Sequence, residues 1–397
     1  MLNIPGKLSH FKNPRANPAL VYSDANKALL SLAKAAPVIA SISQWPGYQE
    51  TPLQRFSDLA KAINVGQVYY KDEGQRFGLK SFKALGGAYA VARQLQGLLA
   101  TSGEAEPSIE QLLNGEFKEQ LRDVVISCAT DGNHGRSVAW GAQMFGCGCV
   151  IYIHRDVSDG RKQAMQAYGA EVIRIQGNYD ESVKLADSEA KKLQRIIVSD
   201  TSYAGYMEIP KDVTLGYTAM LAEIVSQLQG EAPSHVFIQG GVGGVASAVC
   251  GYFWDLWGEH RPRLIVVEPE QANCLQLSAK AGKPVAVTGD LQTLMAGLAC
   301  GEVSSLAWQI LVDGVDDFMT LSEDSIAATM QLLAQGFGQD AKVEAGESAV
   351  PGLATAILSS QSSEYREKLG LTEQSRILVI GTEGATDPQL YQQLINS

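Results

Sequence analysis

The chain has 397 residues and a formal net charge of −11, with 45% apolar and 19% charged residues. This composition is typical of a globular protein of about two domains. Acidic net charge without a basic cluster argues against nucleic acid and against an anionic membrane surface as partners. The N-terminal residues lack the apolar core of a secretory signal peptide, so no export is expected.

The six cysteines are scattered along the chain, and they predict buried, reduced thiols in a cytoplasmic protein. Whether Cys274 and Cys300 form a disulfide stays open, because no spacing rule decides it. The five histidines show no metal-ligand spacing, so no metal is expected.

The first seventy or so residues predict two helices and a strand. A helical piece lies around residues 25–35. Thr51 and Pro52 have the residue types of an N-cap and of a first helical position, which predicts a helix to about Ile63. A strand then begins at Gln67 and ends in charged residues.

From Val124 onward, apolar runs alternate with helical patterns. This rhythm predicts βαβ units, hence an α/β fold with two open, twisted, mostly parallel sheets and helices on both faces. The predicted strands are 124–128, 149–153, 171–175, 195–199, 235–239, 263–267, 318–321 and 376–380. The predicted helices are 139–145, 159–168, 179–192, 214–227, 246–256, 324–334 and 349–359, with a short one at 109–113.

Lys83 lies where the Gln67 strand gives way to a long helical pattern that starts near Ala88. Ligand sites of α/β sheets lie at such junctions. A helix N-terminus carries partial positive charge, which disfavours a protonated lysine and favours the neutral amine. Lys83 is therefore a candidate nucleophile or Schiff-base lysine.

Residues 236–254 form an uncharged run long enough to span a bilayer. Glycines interrupt the run, which therefore predicts a strand, a glycine loop (Gly240, Gly241, Val242, Gly243 and Gly244) and a helix. Such a loop lets backbone N–H groups approach a phosphate. It also matches the dinucleotide fingerprint G-x-G-x-x-A, and Glu268 follows the next strand where a ribose-binding acid is expected. A nicotinamide-dependent dehydrogenase is thus an alternative.

Two further polar turns follow predicted strands. Thr130, Asp131, Gly132, Asn133 and His134 form a turn that can cap a helix or offer N–H groups to a substrate carboxylate.

The last strand is followed by Thr382, whose hydroxyl can hydrogen-bond a ring nitrogen without forcing that nitrogen to be protonated.

Taken together, these motifs occur in the order seen in fold type II pyridoxal-phosphate enzymes, the tryptophan synthase β and threonine dehydratase group. The segments 71–73, 76–79, 82–90, 130–136, 295–302 and 382–384 resemble those of diaminopropionate ammonia-lyases more closely. The likeness extends from about Thr51 to Asp387.

The resemblance implies a role for each matching residue. Lys83 would hold pyridoxal 5'-phosphate as a Schiff base and later abstract the Cα proton of the substrate. Asn133 would hydrogen-bond the phenolic oxygen of the cofactor, the loop 240–244 would bind its phosphate, and Thr382 would face its pyridine nitrogen.

Two carboxylates complete the implied site. Asp131 stands where dehydratases usually have a small residue, which favours the ammonia-lyase, and it would act as a second base or bind the second ammonium of the substrate. Asp200 matches another acidic position of the family and would assist. Thr130, Asp131, Gly132 and Asp200 are thus the expected substrate-binding residues.

The implied reaction is that of a carbon–nitrogen lyase of amino-acid catabolism: α,β-elimination of ammonia from 2,3-diaminopropionate, in both D and L forms, to give pyruvate and two ammonia. A serine/threonine-type dehydratase, the dehydrogenase and a catalytically silent regulator remain as alternatives. The resemblance also implies a homodimer. We expect a large cofactor-binding domain at 1–85 and 204–397, with a small α/β domain at 86–203 inserted into it.

Overall fold

The computed structural model describes residues 2–100, 106–130, 132–289 and 291–397. Its strands are β1 Leu8–Lys12, β2 Leu53–Arg55, β3 Gln67–Asp72, β4 Val125–Ala129, β5 Gly148–Ile153, β6 Glu171–Arg174, β7 Ile196–Ile197, β8 His235–Gln239, β9 Arg263–Pro269, β10 Asp317–Leu321 and β11 Arg376–Gly381. Its helices are α1 Asp24–Leu29, α2 Leu32–Ile42, α3 Ser57–Ala62, α4 Lys83–Ala100, α5 Ile109–Leu113, α6 Lys118–Leu121, α7 Asn133–Phe145, α8 Asp159–Gln166, α9 Tyr179–Leu193, α10 Glu208–Gly216, α11 Thr218–Gln227, α12 Gly244–Trp257, α13 Cys274–Ala281, α14 Ser305–Gly314, α15 Asp324–Gln335, α16 Pro351–Gln361, α17 Ser363–Leu369 and α18 Pro388–Ile395.

The chain divides into two compact units. The first unit contains Met1–Leu32, Glu50–Ser81 and Met220–Ser397, and the second contains Ala33–Gln49 and Phe82–Ala219. The domain boundaries expected at residues 86 and 203 stay a prediction.

The first unit is built on a sheet that, within the described residues, has seven strands in the order β1-β10-β9-β8-β11-β3-β2. The inner strands pair in parallel. Every residue of β8 and β10 is buried, as expected for strands covered by helices on both faces. The prediction of two mostly parallel α/β sheets is confirmed.

The two edge strands of this sheet are antiparallel and were missed by the sequence analysis. The helix predicted from Thr51 and Pro52 is wrong at its start, because Leu53–Arg55 forms β2 and the helix begins only at Ser57. Pairing with β3 overrides the local N-cap signal, since the backbone of Leu53 to Arg55 joins the ladder of Tyr69 to Lys71. The carbonyl of Pro52 also accepts a hydrogen bond from the Asp72 N–H.

The second unit has a parallel sheet whose strands, in the described part of the chain, run β6-β5-β4-β7. Helices α7 and α10 pack closely on α4 through glycines. A Cβ on Gly141 of α7 would lie 2.8 Å from the Ala88 Cα, and one on Gly86 of α4 would lie 2.5 Å from the Val213 carbonyl oxygen. Helix α4 therefore has little freedom to shift at its N-terminal end.

The strand ends place the sequence motifs. In the first unit, β8 ends at the glycine loop and β11 ends immediately before Thr382. In the second unit, β4 ends immediately before Thr130. The carboxyl ends of parallel strands are the usual position of ligand sites in α/β sheets.

Gly86→Ala is expected to destabilise the protein by about 1–3 kcal/mol, because the added methyl group overlaps the Val213 carbonyl and the Tyr217 ring. Gly97→Ala, on the same helix but with open space around it, is expected to stabilise by about 0.5–1 kcal/mol. Urea denaturation measures both. Equal effects of the two substitutions would contradict the close packing of α4.

Candidate active site

Lys83 is the first residue of α4, and its side chain is 23% exposed. Its Nζ donates a hydrogen bond to Asp200 Oδ2 and lies 5.3 Å from the centre of the Phe82 ring and 6.0 Å from that of Tyr217. Burial would raise the pKa of Asp200, but the charges of Lys83 and His134 outweigh it and hold that pKa well below its ordinary value. The pair is thus an ammonium and a carboxylate in a largely buried setting.

The start of α4 is fixed by a serine from α7. Ser137 Oγ donates to the Lys83 carbonyl at 2.6 Å and accepts from the Ala88 N–H at 3.1 Å. Because both bonds fall on the first turns of α4, they set the backbone from which the Lys83 side chain extends.

The segment that precedes Lys83 is held by a buried ionic cluster of Lys71, Glu73, Arg76 and Glu223 in the first unit. Glu223 accepts from Lys71 Nζ and from Arg76 Nη1, each at 2.7 Å, and Arg76 also donates to Glu73 at 2.7 and 2.9 Å. The side chains of all four are at most 3% exposed. Two cations and two anions leave the cluster without net charge, which is how buried ions are tolerated.

The turn after β4 is built around Thr130. Its Oγ1 accepts hydrogen bonds from the N–H groups of Gly132 and Gly135, the second of which lies in the first turn of α7. The N-cap residue itself is Gly132, which offers no side chain. Asn133 begins α7, and its amide oxygen accepts from Arg136 at 3.1 Å. This orientation suits donation to a phenolic oxygen by the amide NH2. Asp131 lies outside the described residues.

His134 was named in the sequence motif without a role, yet it lies beside Asp200. Its Nε2 bonds the Val198 carbonyl at 2.9 Å, and its Nδ1 is 3.9 Å from Asp200 Oδ2. Lys83, Asp200 and His134 therefore meet in one cluster. The signal available in the sequence was a histidine inside a glycine turn, but its partner 66 residues further along could be found only from the fold.

The glycine loop of the first unit has the form expected of a phosphate site. Gly241 and Gly243 adopt φ values of 57° and 98°, which favour glycine. A Cβ on Gly240 would lie 2.8 Å from the Glu268 Cγ, so this residue must be small. The loop leads into the 14-residue helix α12, whose N-terminal N–H groups and dipole attract an anion.

Glu268 does not have the orientation of a ribose ligand. Its two carboxylate oxygens accept from the N–H groups of Leu275 and Gln276, each at 2.8 Å, at the start of α13. It is fully buried, and burial raises its pKa to about 8. Because the Glu268 carboxyl group caps a helix, it is not available to bind a ribose, and the dehydrogenase alternative has no ribose-binding acid at this position.

Thr382 is buried at the end of β11. Its Oγ1 donates to the Ser348 carbonyl at 3.2 Å and lies 3.4 Å from Gln239 Nε2. Gln239, which precedes the glycine loop, thus connects the strand ends that carry the loop and Thr382.

These residues fit pyridoxal 5'-phosphate. Lys83 provides a primary amine for its aldehyde, and Asn133 provides an amide for its phenolic oxygen. The glycine loop at a helix N-terminus suits its phosphate, and Thr382 provides a hydroxyl for its ring nitrogen.

Comparison with known proteins identifies the class. The family described as "Pyridoxal-phosphate dependent enzyme" matches residues 44–383. The chain is 37% identical over 367 residues to the diaminopropionate ammonia-lyase of Salmonella typhimurium, covering 90% of this chain and 91% of that one. The Escherichia coli K12 protein of the same name is 38% identical over 355 residues, 88% of each chain.

A solved structure agrees. The Escherichia coli diaminopropionate ammonia lyase in complex with an aminoacrylate–PLP azomethine reaction intermediate superposes with a TM-score of 0.88 at 34% identity, over 99% of this chain and 97% of that one. The chain belongs to the family of pyridoxal-phosphate dependent enzymes, and the predicted resemblance is confirmed. Among its described residues, no helix is long and apolar enough to cross a membrane.

Glu223→Gln is expected to destabilise the protein by about 3–5 kcal/mol, because it leaves two buried cations facing one carboxylate. Arg76 and Lys71 lower the pKa of Glu223 against the opposing effect of burial. The stability that this carboxylate contributes is therefore present above the ordinary glutamate pKa and is lost as the pH falls below it.

Guanidinium denaturation at pH 7 and at pH 4 measures both effects. Glu364→Gln, which removes an exposed partner of Lys368, serves as the control and should change little. A Glu223→Gln protein as stable as this control would contradict the role of the cluster.

Proposed function

We propose that this protein is a diaminopropionate ammonia-lyase that uses pyridoxal 5'-phosphate. Each turnover converts 2,3-diaminopropionate and water into pyruvate and two molecules of ammonia. The observation that carries the proposal is the Lys83–Asp200 pair, because a lysine amine and a carboxylate that can bind the second ammonium group of the substrate meet there. The family and the relatives described above support it.

The bound cofactor supplies an electron sink that makes the Cα–H bond of an amino acid acidic enough to break. The chain's own residues do the rest. The neutral Lys83 amine accepts the Cα proton. Asn133 would donate to the phenolic oxygen, the loop 240–244 and the N-terminus of α12 would hold the phosphate, and Thr382 would face the ring nitrogen.

Asp200 gives the site its preference for a second ammonium group. Its low pKa keeps it charged, and in the structure its partner is the Lys83 ammonium. When the Lys83 amine turns to the cofactor or the substrate, the Asp200 carboxylate can bind the β-ammonium of diaminopropionate instead. Serine lacks that charge, so the serine/threonine-type dehydratase is the weaker alternative. Thr130 and Gly132 would contact the substrate carboxylate.

Lys83→Ala is expected to lower kcat/KM for DL-2,3-diaminopropionate by about 10²–10⁴-fold or more, because it removes the proton acceptor. The wild type should show a visible absorption band that borohydride bleaches and fixes onto the peptide containing Lys83. Lys61→Ala, which changes an exposed lysine, is the control and should keep the band and pyruvate formation. A band without pyruvate would redirect the assignment to serine and other β-substituted amino acids.

We infer that both enantiomers react, with Lys83 and Asp131 as bases on opposite faces of Cα. Asp131→Asn should then lower the turnover of one enantiomer by about 10²-fold and spare the other. Separate assays of D- and L-diaminopropionate measure this. Unchanged turnover of both forms would show that Asp131 is not a base.

We also infer a homodimer in the cytoplasm. The resemblance supports the dimer, and the free thiols of Cys128, Cys147, Cys149, Cys250 and Cys274 are consistent with a reducing compartment. Light scattering during size-exclusion chromatography would test the dimer.

A further inference from the structure

The histidine beside Asp200 is held in a fixed orientation. His134 is only 5% exposed and lies in the first turn of α7. Its Nε2 contacts the Val198 carbonyl at 2.9 Å, and a carbonyl oxygen can only accept. Nε2 therefore carries a proton, and the other ring nitrogen, Nδ1, is the one that faces Asp200 at 3.9 Å.

The backbone that leads to Asp200 is also held by hydrogen bonds. The Val198 N–H donates to the Ser127 carbonyl on β4 at 2.9 Å. The Tyr206 hydroxyl accepts from the Ser199 N–H and donates to the Ile197 carbonyl, each at 2.9 Å. Because the three residues that precede Asp200 on the chain are hydrogen-bonded in this way, its carboxylate has a defined place between Lys83 and His134.

The other groups around this carboxylate do not change charge near neutral pH. Cys128, Tyr206 and Tyr217 also lie close to Asp200, and burial raises the pKa of each of them. Among the described residues that face Asp200, this leaves Lys83 and His134 as the partners whose charge can respond to pH. Asp131 lies outside the described residues.

The two partners compete for one carboxylate. A proton on Nδ1 would attract Asp200 and weaken its hold on the Lys83 ammonium, whereas an Nδ1 lone pair would be repelled by the carboxylate. Opposite charges at this distance shift a titration by about one unit or more. The Lys83 amine must be neutral to react. A second cation near Asp200 makes the deprotonation of Lys83 easier, because the Lys83 ammonium then shares the carboxylate with that cation.

We propose that His134 is a positioning residue that acts through Asp200: its Nδ1 carries a proton, shares the carboxylate with Lys83 and so favours the neutral Lys83 amine. This role rests on the proposed function, because it matters only where Lys83 is the reactive amine. It also keeps Asp200 ionised, and so able to bind the β-ammonium of the substrate, after the Lys83 amine has left the carboxylate.

Two substitutions separate the two ring nitrogens. In His134→Gln the amide NH2 can still donate to Val198, but nothing cationic faces Asp200. In His134→Asn a neutral donor takes the place of Nδ1, and the bond to Val198 is lost. Both remove the charge, whereas only His134→Asn removes the contact that anchors the ring.

The matched control is His235. It is also buried, and its Nε2 also bonds a carbonyl, that of Leu369, at 2.9 Å. His235 lies in the first unit, whereas Lys83 lies in the second. His235→Gln therefore removes a comparable ring without touching Asp200.

The experiment is competitive acetylation of Lys83 at a series of pH values in the full-length chain freed of cofactor, read by mass spectrometry. Both His134 variants should shift the labelling midpoint of Lys83 upward by about one pH unit, and His235→Gln should not. In the cofactor-loaded enzyme, the acidic limb of the kcat/KM profile should shift the same way. Of the two His134 variants, only His134→Asn should also lose stability in urea.

A labelling midpoint in His134→Gln equal to that of the wild type would overturn the inference, even if diaminopropionate is still converted to pyruvate. Absence of pyruvate in the wild type would instead refute the proposed function. The labelling shift is measured without cofactor or substrate, so the two failures are distinguishable.

Discussion

The pairing of a lysine amine with a carboxylate at the start of a helix is the constraint on which the second unit depends. A protonated lysine at a helix N-terminus faces the positive end of the helix dipole, so it needs a compensating anion. Asp200 supplies that anion from the loop after β7, more than a hundred residues away in sequence. The bonds of Val198 and Ser199 and the close packing of α4 on α7 and α10 all serve to keep these two groups together.

In the first unit, the segment that precedes Lys83 has a strained backbone that its surroundings hold in place. Phe77 and Lys80 adopt left-handed backbone conformations, with φ of 50° and 56°, which non-glycine residues rarely adopt. The buried cluster around Arg76 stands at the beginning of this segment, and the Gly384 N–H bonds the Lys80 carbonyl near its end. Such a segment persists only where its surroundings over-determine it, and backbone strain of this kind is concentrated at functional sites.

The sequence predicted the parts of the fold whose signal is local. Continuous apolar runs identified the inner strands, because strands that are buried on both faces consist of apolar residues without polar alternation. Short edge strands such as Leu53–Arg55 carry no such run, and the capping types of Thr51 and Pro52 pointed to a helix that long-range pairing with β3 prevents. In the site, Lys83 could be named from its motif, and Asp200 from the family resemblance. The spacing of residues could not predict that Asp200 bonds Lys83 or that His134 lies beside Asp200, because both depend on contacts between distant segments.

The glycine loop shows why a motif alone does not decide the ligand. Its residues satisfy a dinucleotide fingerprint as well as a phosphate site, since both use N–H groups at a helix N-terminus. The difference lies in what surrounds the loop. Glu268 directs both oxygens to the N–H groups of α13 and so cannot bind a ribose, while Gln239 and Thr382 bring a hydroxyl to the neighbouring strand end. A hydroxyl that already donates to the Ser348 carbonyl can accept from, but not also donate to, a ring nitrogen. The protonation state of a bound pyridine ring therefore depends on whether Thr382 keeps that bond.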